Sequence, residues 1–172
     1  MNKQTLMQMW DHLRQCHGIA MRVIASLPAD QLASHPIPNM RTPKELIVHL
    51  YGHIVREIPQ GVVQGEIKPE DPKAIEGRIK SKDDLIRFVN ECWSAGSKAA
   101  AAISDANLKA TVKTPWGFDM PGVMCITVVN DEYFHHRGQL YAFLRQLGGE
   151  PLMMWDFEHN EAAYGPKASQ TA

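Results

Sequence analysis

Apolar residues recur at three- and four-residue steps through most of the chain, the period of a helix packed on one face. Leu6, Trp10, Leu13, Ala20, Val23, Ile24 and Leu27 form the first such stripe and predict a helix from about Thr5 to Ser26. Leu27-Pro28 ends it, because a residue before proline is pushed out of the helical region. After the loop SHPIPNMR, Thr42-Pro43-Lys44-Glu45 has the form of a helix start: Thr as N-cap, Pro at the first helical position, Glu at the third. This second helix carries ELIVHLYGHIVREI and is expected to stop near Pro59. Residues 59–80, with Gly61, Gly65, Pro69, Pro72 and Gly77, read as an irregular connection too polar for a core element. Ser81 opens a third helix, with Asp83 and Asp84 in the first turn where the helix dipole favours acid. Residues 105–122, punctuated by Pro115, Gly117 and Pro121, read as a second loop. A fourth helix runs from about Pro121 to Leu147 and stops at Gly148-Gly149. There is no internal repeat and no convincing strand. The prediction is an all-α four-helix bundle, one domain over residues 1–160, with a polar tail over 161–172 whose last eight or so residues are expected to be disordered. The pattern leaves open which helices pack side by side.

Charge and composition narrow the partners. Eighteen Lys+Arg against nineteen Asp+Glu give the 172 residues a formal charge of −1, without the basic field of a nucleic-acid binder. No apolar run reaches the roughly 18 to 20 residues a membrane span needs. The opening MNKQTLMQMWDHLRQ is amphipathic and charged, a helix pattern rather than a secretion leader. Cys16, Cys92 and Cys125 are odd in number and far apart, which predicts free thiols in a reducing cytoplasm.

The eight histidines are the unusual item. Residues i and i+4 on a helix stack about 6 Å apart on one face. His49 and His53 stand at that spacing on the second helix, and Glu132 and His136 on the fourth. His49 with Glu132 and His136 would give two imidazoles and a carboxylate inside a bundle, leaving a position open on zinc, nickel or a similar ion. A divalent ion so held lowers the pKa of bound water and can activate a thiolate. The same pairs also occur on ordinary surface or satisfied core helices. His12, His17, His35 and His159 read as ordinary, mostly part-exposed residues. Cys125, two turns before Glu132, reads as a small buried hydrophobe, with a role as ligand or reactive thiol left open. Arg137 and Gln139 read as solvated residues or as groups that orient a ligand. No G-x-S-x-G elbow and no phosphate-cradling glycine loop is present.

The stretch NDEYFHHRGQLYAFLRQLGGEP, with its HHRGQL core, and the segment TPKELIVHL resemble the DinB-like superfamily, also described as DfsB-like or YfiT-like. Together they cover roughly a third of the chain, in the family's order and separation. The resemblance implies a commonly dimeric four-helix bundle holding one divalent metal by three side chains, one from the second helix and two, four residues apart, from the last. Carried over by position, the ligands are His49, Glu132 and His136. Many relatives have His where this chain has Glu132, a departure that lowers the site's charge by one and favours a harder ion. It also leaves open whether His53 joins or replaces a ligand. Zinc or nickel leads among the implied metals, with iron or manganese compatible. Some relatives use a low-molecular-weight thiol in isomerase or S-transferase reactions. The expectation is therefore a homodimeric, metal-dependent S-transferase or hydrolase acting on a small electrophile, binding neither nucleic acid nor membrane. The alternative is a non-catalytic, metal-stabilised bundle serving as a stress-related binding module. Val123, Ile126, Val128 and the apolar start of the tail give more hydrophobic surface than one helix stripe needs, which suits a dimer whose interface the sequence does not assign.

Overall fold

The first stripe forms α1 (Lys3–Ser26) in the computed structural model, which describes residues 1–167. Its predicted apolar residues are all buried, and Leu27 caps it in extended conformation before Pro28. Thr42 and Glu45 make the expected capping box: Thr42 Oγ1 accepts from Glu45 N–H at 3.1 Å, and Glu45 Oε2 accepts from Thr42 N–H at 2.7 Å. From there one rod runs through α2 (Pro43–Val48), a π-helical stretch (His49–Glu57) and α3 (Ile58–Gln64). Next come α4 (Pro72–Arg78), α5 (Lys82–Ala102) and α6 (Asp105–Lys109). A two-residue antiparallel ladder, β1 (Thr111–Val112) with β2 (Met120–Pro121), leads into α7 (Gly122–Gln146).

The fold is all-α in the expected sense, and the packing order is now defined. α1 packs against α5 and α7, and the second rod packs between the same two helices. Consecutive rods one and two are therefore diagonal, as are α5 and α7, and the connections 27–42 and 103–121 carry the chain across. No described helix is long and apolar enough to cross a membrane.

Several expectations are corrected. The second rod passes through Pro59 to Gln64. Its π turns bond to the fifth residue on, with Ile58 N–H donating to His53 O, and Pro59 stands in the first turn of α3, where a missing N–H costs least. The stretch 59–80 is not too polar for the core: Val62, Ile67, Ile75 and Ile79 are buried, and Asp71 caps α4 by accepting from Lys73 N–H at 3.0 Å. The 105–122 loop contains α6, capped by Ser104, and the short ladder where no strand was expected. His17 is wholly buried rather than part-exposed. Ile126 is spent on the chain's own core, and Val123 and Val128 pack against that core. Of the tail expected to be disordered, residues 168–172 lie outside the described residues. Before them, Arg14 donates to the carbonyls of Ala163 and Gly165, and Asn160 to those of Gln15 and Tyr164, binding this segment to α1.

The second rod and α5 meet closely at Gly96. A Cβ there would sit 2.1 Å from the carbonyl oxygen of Val55, four residues before Pro59. Backbone cannot swing aside as a side chain can, so Gly96→Ala should cost about 1–3 kcal/mol through overpacking, although alanine is the better helix former. Gly138 of α7 has nothing within 4 Å of such a Cβ. There the same substitution should stabilise by about 0.5–1 kcal/mol. Paired urea titrations check the opposite signs.

Candidate metal centre

The capping box at Thr42 starts the second rod, and His49 stands at the first position of its π stretch. This rod lies beside α7, so His49 comes against the Glu132–His136 pair. One donor atom from each of His49, Glu132 and His136 lies within 4.8 Å of the others. The rings of His49 and His136 meet edge to face, centroids 4.9 Å apart. Donors around one tetrahedral zinc sit about 3.4 Å apart for bonds near 2.1 Å, so side-chain shifts of roughly an ångström close the set.

Hydrogen bonding fixes which His136 nitrogen is free. Gln139 donates its amide N–H to His135 Nε2 at 3.1 Å, which turns its Oε1 to accept from His136 Nδ1 at 2.8 Å. With the proton on Nδ1, Nε2 carries a lone pair. That Nε2 is buried, has no hydrogen-bond partner, and lies 3.0 Å from Glu132 Oε2. A proton or a metal cation between the two atoms would join them. Orientation of a ligating imidazole through its second nitrogen is the usual arrangement at metal sites, and it gives Gln139 the orienting role the sequence left open. His49 is pushed down to about 4 by burial, with the positive Arg41 and the neighbouring His136 and His53 adding to the effect. It is therefore neutral at pH 7 and able to donate a lone pair. The donor set fits a divalent metal.

The other sequence candidates separate from this group. His53 Nδ1 bonds to Glu57 Oε2 at 2.6 Å. Its ring lies beside that of His49, centroids 5.8 Å apart, but it is not among the three converging donors. Burial would raise the Glu57 carboxyl, but hydrogen bonds from His53, Arg56 and the Glu70 N–H outweigh it and hold the pKa below the ordinary value. Cys125 is fully buried, its thiol pushed up by burial, and stands about 10 Å along the axis from Glu132 at the helical rise. Cys16 and Cys92 are likewise free and buried.

Sequence reasoning missed a cavity that reaches the cluster at His49. Arg41, Glu45, His49, His53, Pro72, Lys73 and Glu76 line a cavity of about 280 Å³. One wall is α4, tied to α2 by Lys44 Nζ, which donates to the carbonyls of Glu76 and Ile79 at 2.8 Å each. Asp71-Pro72 repeats the cap-then-proline signal of Thr42-Pro43 and was the available clue.

These features define a four-helix bundle with a two-imidazole, one-carboxylate cluster joining its second and last rods. The chain belongs to the DinB family, whose model matches residues 1–168. Its fold is similar to the crystal structure of a DinB-like protein from Bacillus subtilis, with a TM-score of 0.69 and 14% identity over 85% of this chain and 95% of that one. At that identity the likeness is one of fold. No curated protein gives a significant sequence match.

Proposed function

We propose that this protein is a divalent-metal-dependent enzyme, an S-transferase or hydrolase for a small electrophile, with His49, Glu132 and His136 as the metal ligands. The observation that carries the reading is the convergence of one donor atom from each of His49, Glu132 and His136 within 4.8 Å, with the buried His136 Nε2 3.0 Å from the Glu132 carboxylate. Two imidazoles and one carboxylate favour zinc or nickel, with iron or manganese compatible. A metal with an open position supplies a lowered pKa for a thiol or water and polarises an electrophile. The chain's own contribution is positional. Gln139 holds His136 in one tautomer, and His53, its Nδ1 bonded to Glu57, offers Nε2 as an acceptor on the cavity wall. A low-molecular-weight thiol as co-substrate would meet Arg41 and Lys73 beside Glu45 and Glu76 on the same wall. A homodimer in a reducing cytoplasm belongs to the same reading, with Trp116, Phe118 and Met124 as exposed apolar candidates for its contact.

The test is metal analysis of protein purified without a nickel column, followed by conjugation assays with thiols and a panel of electrophiles. Near one ion per chain and turnover that EDTA abolishes are expected; metal-free protein, as isolated, would sink the proposal. A second reading, a structural metal without turnover, is favoured by the ligands' origin on two separate rods, which an ion would pin together. Under it, EDTA lowers the melting temperature but no thiol–electrophile pair shows metal-dependent turnover.

A further inference from the structure

A second stripe of α7, distinct from the one bearing Glu132 and His136, carries Phe134, Arg137, Gly138, Tyr141 and Arg145. Together with Pro151, Leu152, Met153 and Met154, which follow the helix stop, it walls a cavity of about 550 Å³. That size lies inside the roughly 300–1,000 Å³ range of small-molecule sites. None of His49, Glu132 and His136 lines it.

Its polar content is one-sided. The lining holds two guanidinium groups and a tyrosine hydroxyl but no carboxylate. Arg137 is only 8% exposed and Tyr141 only 7%. Arg137 Nη1 and Tyr141 Oη are both buried without a hydrogen-bond partner. Among the described residues no ion pair involves Arg137. Its guanidinium lies 4.9 Å over the Phe134 ring, and that of Arg145 lies 5.9 Å over the Tyr141 ring. Cys16 lies against the Arg137 guanidinium, but burial outweighs that neighbour and keeps its thiol neutral, so it supplies a polar contact and no counter-charge. A buried cation without an anion is costly, and an arriving anion removes that cost. The planar guanidinium fork matches a carboxylate in two parallel hydrogen bonds, while proline, leucine, methionine and phenylalanine side chains suit an apolar body.

We propose that this slot is a second binding site, for a small carboxylate with an apolar tail. The unpartnered Arg137 Nη1 and Tyr141 Oη lie just behind the slot's surface; on binding, Arg137 turns out to pair with the carboxylate and Tyr141 to donate its hydroxyl proton to it, while Arg145 attracts it at the rim and Leu152 to Met154 cover the tail. The site stands whether or not the other cluster holds a metal.

The test is calorimetric titration of the full chain, dialysed against EDTA, with octanoate, 1-octanol and octylammonium as probes. Octanoate should bind at one site per chain, at least about tenfold tighter than octanol, a difference of roughly 1.4 kcal/mol. Arg137→Met should erase that preference. Should that variant fold poorly, Arg145→Glu at an exposed position decides the matter: it should weaken octanoate severalfold and leave octanol unchanged. The proposal is overturned by equal affinity for octanoate and octanol, by wild-type octanoate affinity in both variants, or by no octanoate binding.

Discussion

Adding zinc at a hundred to a thousand times its dissociation constant to EDTA-stripped protein should raise the unfolding free energy by about 3–4 kcal/mol, and His136→Ala should abolish the gain. The figure follows from mass action, since an ion held by the native state alone stabilises by RT ln(1 + [L]/Kd). In a chain of this size it reads as a melting-temperature rise of roughly 6–16 °C. His136 is the decisive residue because it is the donor that the protein has prepared most fully. Its Nδ1 is committed to Gln139, and its buried Nε2 has no partner of its own. Removing it leaves Glu132, whose side chain is 40% exposed, and His49 on a separate rod, a pair too loose to compete with water. Gln139→Leu gives a graded control. It keeps all three donors but frees the ring to carry its proton on Nε2, and loss of such an orienting group typically costs about 10- to 100-fold in metal affinity. Thermal melts with and without zinc, run on both variants, make the comparison. Equal zinc shifts in wild type and His136→Ala would mean that the ion sits elsewhere.

How much of this was legible in the sequence divides along physical lines. Helical period, the Thr42 and Ser81 caps and the Leu27-Pro28 stop are set by residues within a turn or two of each other, and all are as expected. The π stretch has no compositional mark, so Pro59 reads as a terminator although the turn before it lets the rod continue. The ladder at Thr111–Val112 is too short to show any period. The two i, i+4 pairs were visible as spacings, but the convergence of His49 alone with Glu132 and His136 depends on the second rod lying beside α7, and the sequence left that neighbour relation open. His17 is the opposite case: it falls on the stripe of Leu13, Ala20 and Ile24 while His12 does not, so its burial was legible, although the rings that enclose it, Tyr51, Trp93 and Tyr164, lie far away in the chain.

That burial gives the second large expected effect: lowering the pH from 7 to 5 should cost the metal-free protein about 2 kcal/mol through His17 alone. His17 is pushed down to about 3 by burial. Its ring stacks on Trp93 with centroids 4.3 Å apart, meets Tyr164 edge-on, and pairs Nδ1 with Tyr51 Oη at 3.0 Å, while Nε2 has no partner. No charged side chain is bonded to it to support the imidazolium. In the unfolded chain the same imidazole titrates near 6.5. Above that pH neither state binds the proton and stability is at its full value. Below it the unfolded state takes up a proton that the folded state refuses, so stability falls by about 1.4 kcal/mol per pH unit until the folded value near 3 is reached. His49, lowered to about 4 by burial first and then by Arg41, acts with the same sign and more weakly because it is partly exposed. Carboxylates held low, such as Glu57 and Glu70, begin to contribute only as pH falls toward the unfolded value near 4, so the window from 7 to 5 belongs to the histidines. Urea titrations in EDTA should show the midpoint falling between pH 7 and 5 at an unchanged m-value. His17→Phe should flatten most of that dependence, even though it strips Tyr51 Oη of its partner and lowers stability at pH 7. The pH slope, not the absolute stability, therefore carries the test: a slope as steep in His17→Phe as in wild type would show that the protons are taken up elsewhere.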